Sequence, residues 1–265
     1  MHRDHPHRRT LPGMCFELDS LPPVPPVAGA AVAHEDVVLR SSDGTELAGF
    51  AAAPAESSNV GIIVLPDVRG LYRFYEELAL RFAERGYVAL AIDYFGRTAG
   101  VGKRDEDFPY MEHVDQTEPE AIQSDIAAAA AWLRSSAGGA CEHVFTVGFC
   151  FGGRQSWLAS AGGHGLAGAV GFYGMPGQRK GRHGPIQLAG EMEAPILALQ
   201  AGADDHITPE DNAALDRALT KAGVAHEVVT YAGAPHSFFD RRWEQHQAAS
   251  DDAWARVIAF IEQYS

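Results

Sequence analysis

A cysteine stands at the centre of residues 148–153, where the order is Gly-Phe-Cys-Phe-Gly-Gly. Glycines two positions either side of a nucleophile mark a sharp strand-to-helix turn that more often carries serine. The glycines are needed because side chains there would clash in so tight a turn. A thiol at the start of a helix also meets a partial positive charge, which favours the thiolate. Alone, the segment fits a nucleophilic Cys150 or an inert core cysteine equally well.

Two later segments hold the partners that such a nucleophile needs. The sequence Gly-Ala-Asp-Asp at 202–205 follows one apolar run, and His236 follows the next. Nucleophile, acid and histidine in that order are typical of a hydrolytic triad on a mostly parallel sheet. We expect His236 to take the proton of Cys150 or to stabilise its thiolate, and Asp205 to orient the imidazole. The neighbouring Asp204 leaves an ambiguity of one residue, and we favour Asp205.

Each partner also has a structural alternative. Asp205 could be the N-cap of a helix that begins near Pro209, and His236 could be a surface histidine. The coincidence of all three residues, in order and after successive strands, favours the catalytic interpretation. The oxyanion hole is then expected to consist of the backbone N–H groups of Phe151 and Val68.

The elements that must position these residues are short apolar runs alternating with helical stretches. Strands are predicted at 35–40, 46–52, 60–65, 88–92, 143–147, 166–172, 195–200 and 226–231. Helices are predicted at 74–85, 118–135, from about 153, at 209–222 and at 248–263, and residues 96–116 are expected to form a long loop or cap. This alternation predicts an α/β fold, a mostly parallel mixed sheet with an antiparallel edge hairpin and helices on both faces. Chemistry is expected at the carboxyl ends of the strands.

The chain divides into two parts by composition. Residues 1–30 are predicted to be an extended, proline-rich tail, and residues 31–265 a single catalytic domain. His2, His5 and His7 lie in that tail, where no fold would hold them as metal ligands. We therefore expect neither a metal site nor a membrane span, since no apolar run is long enough.

The formal net charge of −14 restricts the partners. Phosphate backbones and anionic membranes would be repelled, so we expect no nucleic acid and no membrane. An acidic substrate would need a local arginine to hold it. The three cysteines are too few and too widely spaced for a disulfide framework, and no signal peptide is evident, so we expect a cytoplasmic monomer or small homo-oligomer.

Several motifs together resemble the dienelactone hydrolase (carboxymethylenebutenolidase) family. They are Leu-Pro-Asp-Val-Arg-Gly-Leu at 65–71, Gly-Tyr at 86–87, Asp-Tyr at 93–94, the turn at 148–153, Phe-Tyr-Gly at 172–174, residues 202–205 and residues 233–238. The likeness runs from about Val37 into the C-terminal helix. It implies an α/β-hydrolase fold without a cofactor, and it implies nucleophile, acid and base roles for Cys150, Asp205 and His236.

The resemblance is weaker at the positions that are expected to lie near the substrate. The family's characterised members carry glutamate where Asp67 stands, and Asp67 is expected either to restrain the thiol by like-charge repulsion or to cap its loop. Asp240 stands four positions after His236, where a family arginine would hold the substrate carboxylate. Asp67, Arg69, Arg104 and Phe238 are the candidate pocket residues.

The function expected from the sequence is therefore a cysteine hydrolase that cleaves small esters or lactones through a thioacyl-enzyme. Promiscuous cleavage of aryl esters or phosphotriesters on the same triad is one alternative. A non-catalytic thiol redox sensor is another, although a sensor would need neither the acid nor the order observed.

Overall fold

The computed structural model describes residues 20–56, 58–105, 107–240 and 242–265. The three histidines of the predicted tail, and Cys15, lie outside these ranges. Residues 20–31 contain no helix or strand.

One mixed sheet of eight strands organises the described residues. The strands are Val32–Arg40 (β1), Glu46–Pro54 (β2), Val60–Leu65 (β3), Val88–Ile92 (β4), His143–Phe149 (β5), Gly168–Phe172 (β6), Ile196–Ala201 (β7) and His226–Tyr231 (β8). Their order across the sheet is β1-β2-β4-β3-β5-β6-β7-β8. The hairpin of β1 and β2 joins β4 antiparallel, and every other pairing is parallel. The predicted α/β fold with an antiparallel edge hairpin is confirmed.

Helices cover both faces of this sheet. They are Arg73–Ala83 (α1), Gly96–Ala99 (α2), Tyr110–Val114 (α3), Pro119–Arg134 (α4), Phe151–Ala159 (α5), Pro185–Leu188 (α6), Pro209–Ala222 (α7) and Gln247–Tyr264 (α8). The segment expected as a loop at 96–116 holds α2 and α3, which are too short to show a helical period. None of the helices in the described ranges is both long enough and apolar enough to cross a bilayer.

The alternation of side chains along β3 shows why its sequence is apolar throughout. Val60, Ile62 and Val64 join the core beneath α1 and α8, whereas Ile63 and Leu65 join the core beneath α4. A strand that is covered on both faces has no side that can be polar. A third apolar cluster, which includes Trp157, packs α5 and α7 against the sheet. The carboxyl ends of β3, β5 and β7 are thereby fixed relative to one another at one edge of the sheet.

Candidate active site

Cys150 occupies the turn between β5 and α5 in a strained backbone conformation. Its φ is +54° and its ψ is −109°, a region that non-glycine residues rarely adopt. Its N–H donates to the carbonyl of Phe172 at 3.0 Å, which ties the turn to β6. A Cβ atom on Gly148 would lie 2.0 Å from the carbonyl oxygen of Gly152, and one on Gly152 would lie 2.1 Å from that of Leu65. The glycines therefore permit the turn that presents the thiol.

His236 follows β8 and forms a hydrogen bond with the acid through one ring nitrogen. Its Nδ1 donates to Oδ2 of Asp204 at a distance of 2.6 Å. The two loops are joined by backbone hydrogen bonds, from Gly202 to the carbonyl of Tyr231 and from Ala203 to that of Ala234, both at 2.9 Å. These bonds hold the acid and the histidine together although they lie 32 positions apart.

The carboxylate that His236 contacts is that of Asp204, not that of Asp205, which the sequence had favoured. Oδ1 of Asp204 accepts from the N–H groups of His206 and Ile207, at 2.9 and 3.2 Å. This turn leaves Oδ2 directed at the imidazole, with the Asp204 side chain fully buried. Asp205 is exposed. Asp205 is not the N-cap of α7 either, because Thr208 holds that position and accepts from the N–H of Asp211.

Charged neighbours dominate the electrostatics of His236. Burial opposes its protonation, but hydrogen bonds to Asp204 and Cys150, with their negative charges, outweigh burial and raise the pKa of His236 to about 10. For Asp204, burial raises the pKa of the carboxyl, but the hydrogen bond and charge of His236 together with the N–H groups of His206 and Ile207 outweigh it, so the pKa is lowered. His236 thus lies between the Asp204 carboxylate and the sulfur of Cys150, an arrangement that can activate a thiol as nucleophile.

The loop after β3 lies against the start of α5. Gly152 approaches the carbonyl oxygens of Leu65 and Pro66 so closely that a Cβ would come within 2.1 and 2.3 Å of them. The hydroxyl of Tyr94 donates to the carbonyl of Pro66 at 2.9 Å, and its ring contacts that of Phe151 edge-on, with centroids 5.4 Å apart. In the described part of the chain, no acceptor is bonded to the N–H of Phe151 or of Val68. Both expected oxyanion donors are therefore available.

Asp67 caps its own loop. Its Oδ1 accepts from the N–H of Arg69 at 2.9 Å, and its Oδ2 lies 3.6 Å from Nε of Arg69. The Asp67 carboxylate is fully buried and Arg69 is nearly so, with a guanidinium nitrogen bonded to the hydroxyl of Tyr72. These contacts agree with the loop-cap alternative, and restraint of the thiol by Asp67 stays a prediction.

Two of the residues predicted to line the substrate pocket have their side chains engaged in contacts of the fold. Arg104 pairs with Asp93, with Nη2 2.7 Å from Oδ2, and it also donates to the carbonyl of Gly100. Phe238 is fully buried and packs against Tyr173 and Tyr231. Arg104 was proposed from charge alone, and Phe238 from its place beside the histidine. Neither criterion distinguishes a pocket wall from a buried ion pair or an aromatic core.

Tyr173 is a site residue that the sequence pointed to only as part of a motif. Its ring centroid lies 4.9 Å from that of His236, and its hydroxyl donates to Oδ2 of Asp240 at 3.0 Å. Its φ is +36°, so its backbone is strained like that of Cys150. Asp240 is buried and is a hydrogen-bond acceptor for this tyrosine. Among the residues described, no three acidic, histidine or cysteine side chains are grouped as a metal site would require.

Comparisons with known proteins by sequence and by structure agree with one another. A model of the dienelactone hydrolase family matches residues 47–265. The carboxymethylenebutenolidase of Rhodococcus opacus is 28% identical, over 95% of this chain and 97% of its own length. A crystal structure from Klebsiella pneumoniae, named "putative dienelactone hydrolase", is 26% identical with a TM-score of 0.78, over 88% of this chain and 100% of that one. A dienelactone hydrolase-like promiscuous phosphotriesterase from metagenomic libraries has a TM-score of 0.73 over 88% of this chain and 99% of its own, but at 21% identity it shows the shared fold alone.

Proposed function

Because the chain belongs to the dienelactone hydrolase family, a family of ester and lactone hydrolases, we propose that it cleaves small esters or lactones through a thioacyl-enzyme on Cys150. The observation that carries this proposal is the continuous hydrogen-bonded series from Cys150 to His236 to Asp204. An inert core cysteine or a simple redox sensor has no use for a buried acid behind the histidine.

The first half of the reaction forms the thioester. The thiolate of Cys150 adds to the carbonyl carbon of the substrate, and the carbonyl oxygen becomes an oxyanion. The N–H groups of Phe151 and Val68 stabilise that charge, a contribution of roughly 3–4 kcal/mol for a single donor in comparable sites. When the intermediate collapses, the carbon–oxygen bond to the leaving group breaks. The leaving alkoxide takes its proton from the imidazolium of His236.

The second half regenerates the enzyme. His236, now neutral, takes a proton from a water molecule as the water oxygen attacks the thioester carbon. The carbon–sulfur bond breaks, the product leaves as the acid, and the thiolate again faces an imidazolium. Asp204 remains ionised and keeps the imidazole in one tautomer and orientation throughout.

We do not propose dienelactone itself as the substrate. Asp240, a buried acceptor for Tyr173, stands where the family resemblance implies an arginine, and Arg104 is paired with Asp93. We further propose that the protein works in the cytoplasm as one catalytic domain, residues 31–265, without a cofactor. Its net charge of −14 supports a small-molecule substrate and no nucleic-acid partner.

Hydrolysis of 4-nitrophenyl acetate tests the proposal. We expect a burst of nitrophenolate followed by a slower steady state, because deacylation of a thioester limits turnover. Mass spectrometry of the quenched enzyme should place one acetyl group on the peptide that contains Cys150. The variant Cys150→Ala should lose both the burst and the acetylated peptide.

The other described cysteine provides the matched control. Cys141 is buried, and burial raises the pKa of its thiol, so the variant Cys141→Ala should keep the burst. Wild-type activity in Cys150→Ala with an intact circular-dichroism spectrum would refute the proposed function.

A further inference from the structure

The loop after β3 carries Val68, one of the two proposed oxyanion donors, and two tyrosine hydroxyls hold the peptide group just before it. That peptide group, between Pro66 and Asp67, has both of its polar atoms bonded to side chains. Its carbonyl accepts from the hydroxyl of Tyr94 at 2.9 Å, and its N–H donates to the hydroxyl of Tyr75, also at 2.9 Å. Both tyrosines are buried. The plane of this peptide is therefore fixed at both ends.

Further hydrogen bonds within the loop set the direction of the donor itself. The carbonyl of Asp67 accepts from the N–H of Gly70 at 3.2 Å, and the Asp67 carboxylate accepts from the N–H of Arg69 at 2.9 Å. In a trans peptide the N–H points opposite to the carbonyl, so the N–H of Val68 points away from this turn. A rotation of the preceding peptide would change that direction, because consecutive peptide planes share a Cα atom.

The rings of the same two tyrosines contact the residues on either side of the nucleophile. The ring centroid of Tyr75 lies 5.8 Å from that of Phe149, and the ring centroid of Tyr94 lies 5.4 Å from that of Phe151. These phenylalanines are the chain neighbours of Cys150, and the N–H of Phe151 is the second proposed oxyanion donor. Each tyrosine thus contacts the nucleophile turn through its ring and the loop after β3 through its hydroxyl.

The fold explains why two residues far apart in the chain meet at one peptide. Tyr75 is a buried residue of α1, the helix that follows the loop. Tyr94 lies two positions beyond β4, which pairs with β3 in parallel, so the carboxyl ends of the two strands are adjacent. Burial and the negative charge of Asp67 raise the pKa of Tyr94 well above its usual value. Its phenol therefore stays protonated and can donate to the carbonyl.

We propose that Tyr75 and Tyr94 are positioning residues that hold the N–H of Val68 where it can stabilise the oxyanion. The inference rests on the proposed function and identifies the side chains that set the geometry of its oxyanion hole. In this role neither hydroxyl touches the substrate, since both act through the peptide that they share. An oxyanion exists only after the thiolate has added to a carbonyl. Misalignment of the donor should therefore slow that addition and leave other reactions of the thiol unchanged.

Two reactions of the same thiol separate this role from a general effect on the site. Acylation of Cys150 by 4-nitrophenyl acetate, measured as the rate of the burst, passes through an oxyanion. Alkylation of Cys150 by iodoacetamide, measured by mass spectrometry, displaces iodide from a saturated carbon and forms no oxyanion. The readout is the ratio of the acylation rate to the alkylation rate.

The tyrosine variants remove one hydroxyl each and keep the ring. In Tyr94→Phe and in Tyr75→Phe the ratio should fall on the order of tenfold, because loss of a whole donor costs about 10²–10³ in rate and a misaligned donor retains part of its effect. The alkylation rate should stay within about twofold of wild type, since the thiolate and its histidine are unchanged.

Ser160→Ala is the matched control, because it also removes a buried hydroxyl that is bonded to the main chain. The Ser160 hydroxyl donates to the carbonyl of Ala194 and accepts from the N–H of the same residue, both at 3.0 Å, at the opposite end of α5 from Cys150. Its melting temperature should fall, but its ratio should equal that of wild type. The inference is overturned if either tyrosine variant keeps the wild-type ratio, if alkylation slows in parallel with acylation, or if Ser160→Ala lowers the ratio equally.

Failure of the proposed function is a distinguishable result. It would appear before any tyrosine is changed, as a wild-type protein without a burst or as a burst that Cys150→Ala retains, and it would refute the inference as well. A burst that depends on Cys150, with an unchanged ratio in the tyrosine variants, would overturn the positioning role of Tyr75 and Tyr94 alone.

Discussion

The two halves of the proposed triad are positioned by different means. The nucleophile half is the turn at residues 148–153, whose conformation is imposed by contacts of its own backbone: Gly148 against Gly152, and Gly152 against the end of β3. The acid–histidine half is assembled from two loops, after β7 and β8, joined by a few hydrogen bonds between them. One half is a local motif, and the other depends on the register of two strands.

The difference determines how each half should respond to substitution. In the turn, steric contacts with main-chain atoms cannot relax without moving the nucleophile. In the loops, one side-chain hydrogen bond, between Asp204 and His236, orients the base. We therefore expect a chemical change to do the most damage in the loops and a steric change in the turn.

The largest effect should come from the acid. Asp204→Asn keeps the size of the side chain but removes the charge, and its amide can present a donor to Nδ1 of His236, which favours the wrong tautomer. By analogy with such substitutions in serine triads, kcat should fall on the order of 10³- to 10⁴-fold. The matched control is the adjacent Asp205→Asn, which should retain kcat within about twofold because Asp205 is exposed. Equal losses in the two variants would contradict the assignment of Asp204.

The same contrast explains what the sequence could and could not establish. The turn was predictable because the glycines and Cys150 are neighbours in the chain, and the strand before it was evident from its apolar run. The choice between Asp204 and Asp205 was not, because it depends on which carboxylate accepts from His206 and Ile207 and which one points to solvent. The direction in which each carboxylate points is set by the conformation of the turn after β7, and neither composition nor residue spacing indicates it.

The pocket was harder to predict for a related reason. Arg104 and Arg154 are both arginines near the carboxyl edge of the sheet, yet one is paired with Asp93 and the other has only carbonyl partners. Sequence gives the positions of the charges but not their counter-charges.

A steric change in the turn should have the next largest effect. In Gly152→Ala the new Cβ would lie 2.1 and 2.3 Å from the carbonyl oxygens of Leu65 and Pro66, so the start of α5 must move. A displacement of about 1 Å at a nucleophile can cost on the order of 10² in rate, and we expect kcat/KM for 4-nitrophenyl acetate to fall by about that factor. The melting temperature should fall as well.

The control for this change is Gly177→Ala, in the loop between β6 and α6, where a Cβ meets nothing within 4 Å. It makes the same chemical change without the contact and should leave kcat/KM and the melting temperature near wild type. If Gly152→Ala were as active as Gly177→Ala, the turn would be more compliant than its backbone contacts indicate.

The smallest expected effect is a shift in the pKa of His236, which contacts Asp204 in its own half and Cys150 in the other. Hydrogen bonds to Asp204 and Cys150 outweigh burial and raise the pKa of His236 to about 10, so its imidazolium should persist through neutral pH. Since the unfolded value is near 6.5, protonation of His236 stabilises the fold fully below that pH, and this contribution is lost as the pH rises through about 10. The ring nitrogens, followed by ¹H–¹⁵N NMR, should report the titration directly.

Removal of one negative partner in Asp204→Asn or in Cys150→Ala should lower the pKa of His236 in each case, because burial is then less strongly opposed. Asp205→Asn should leave it in place. If only Asp204→Asn lowered it, the sulfur would carry no charge toward the imidazole, and the two halves would be neighbours rather than an ion pair.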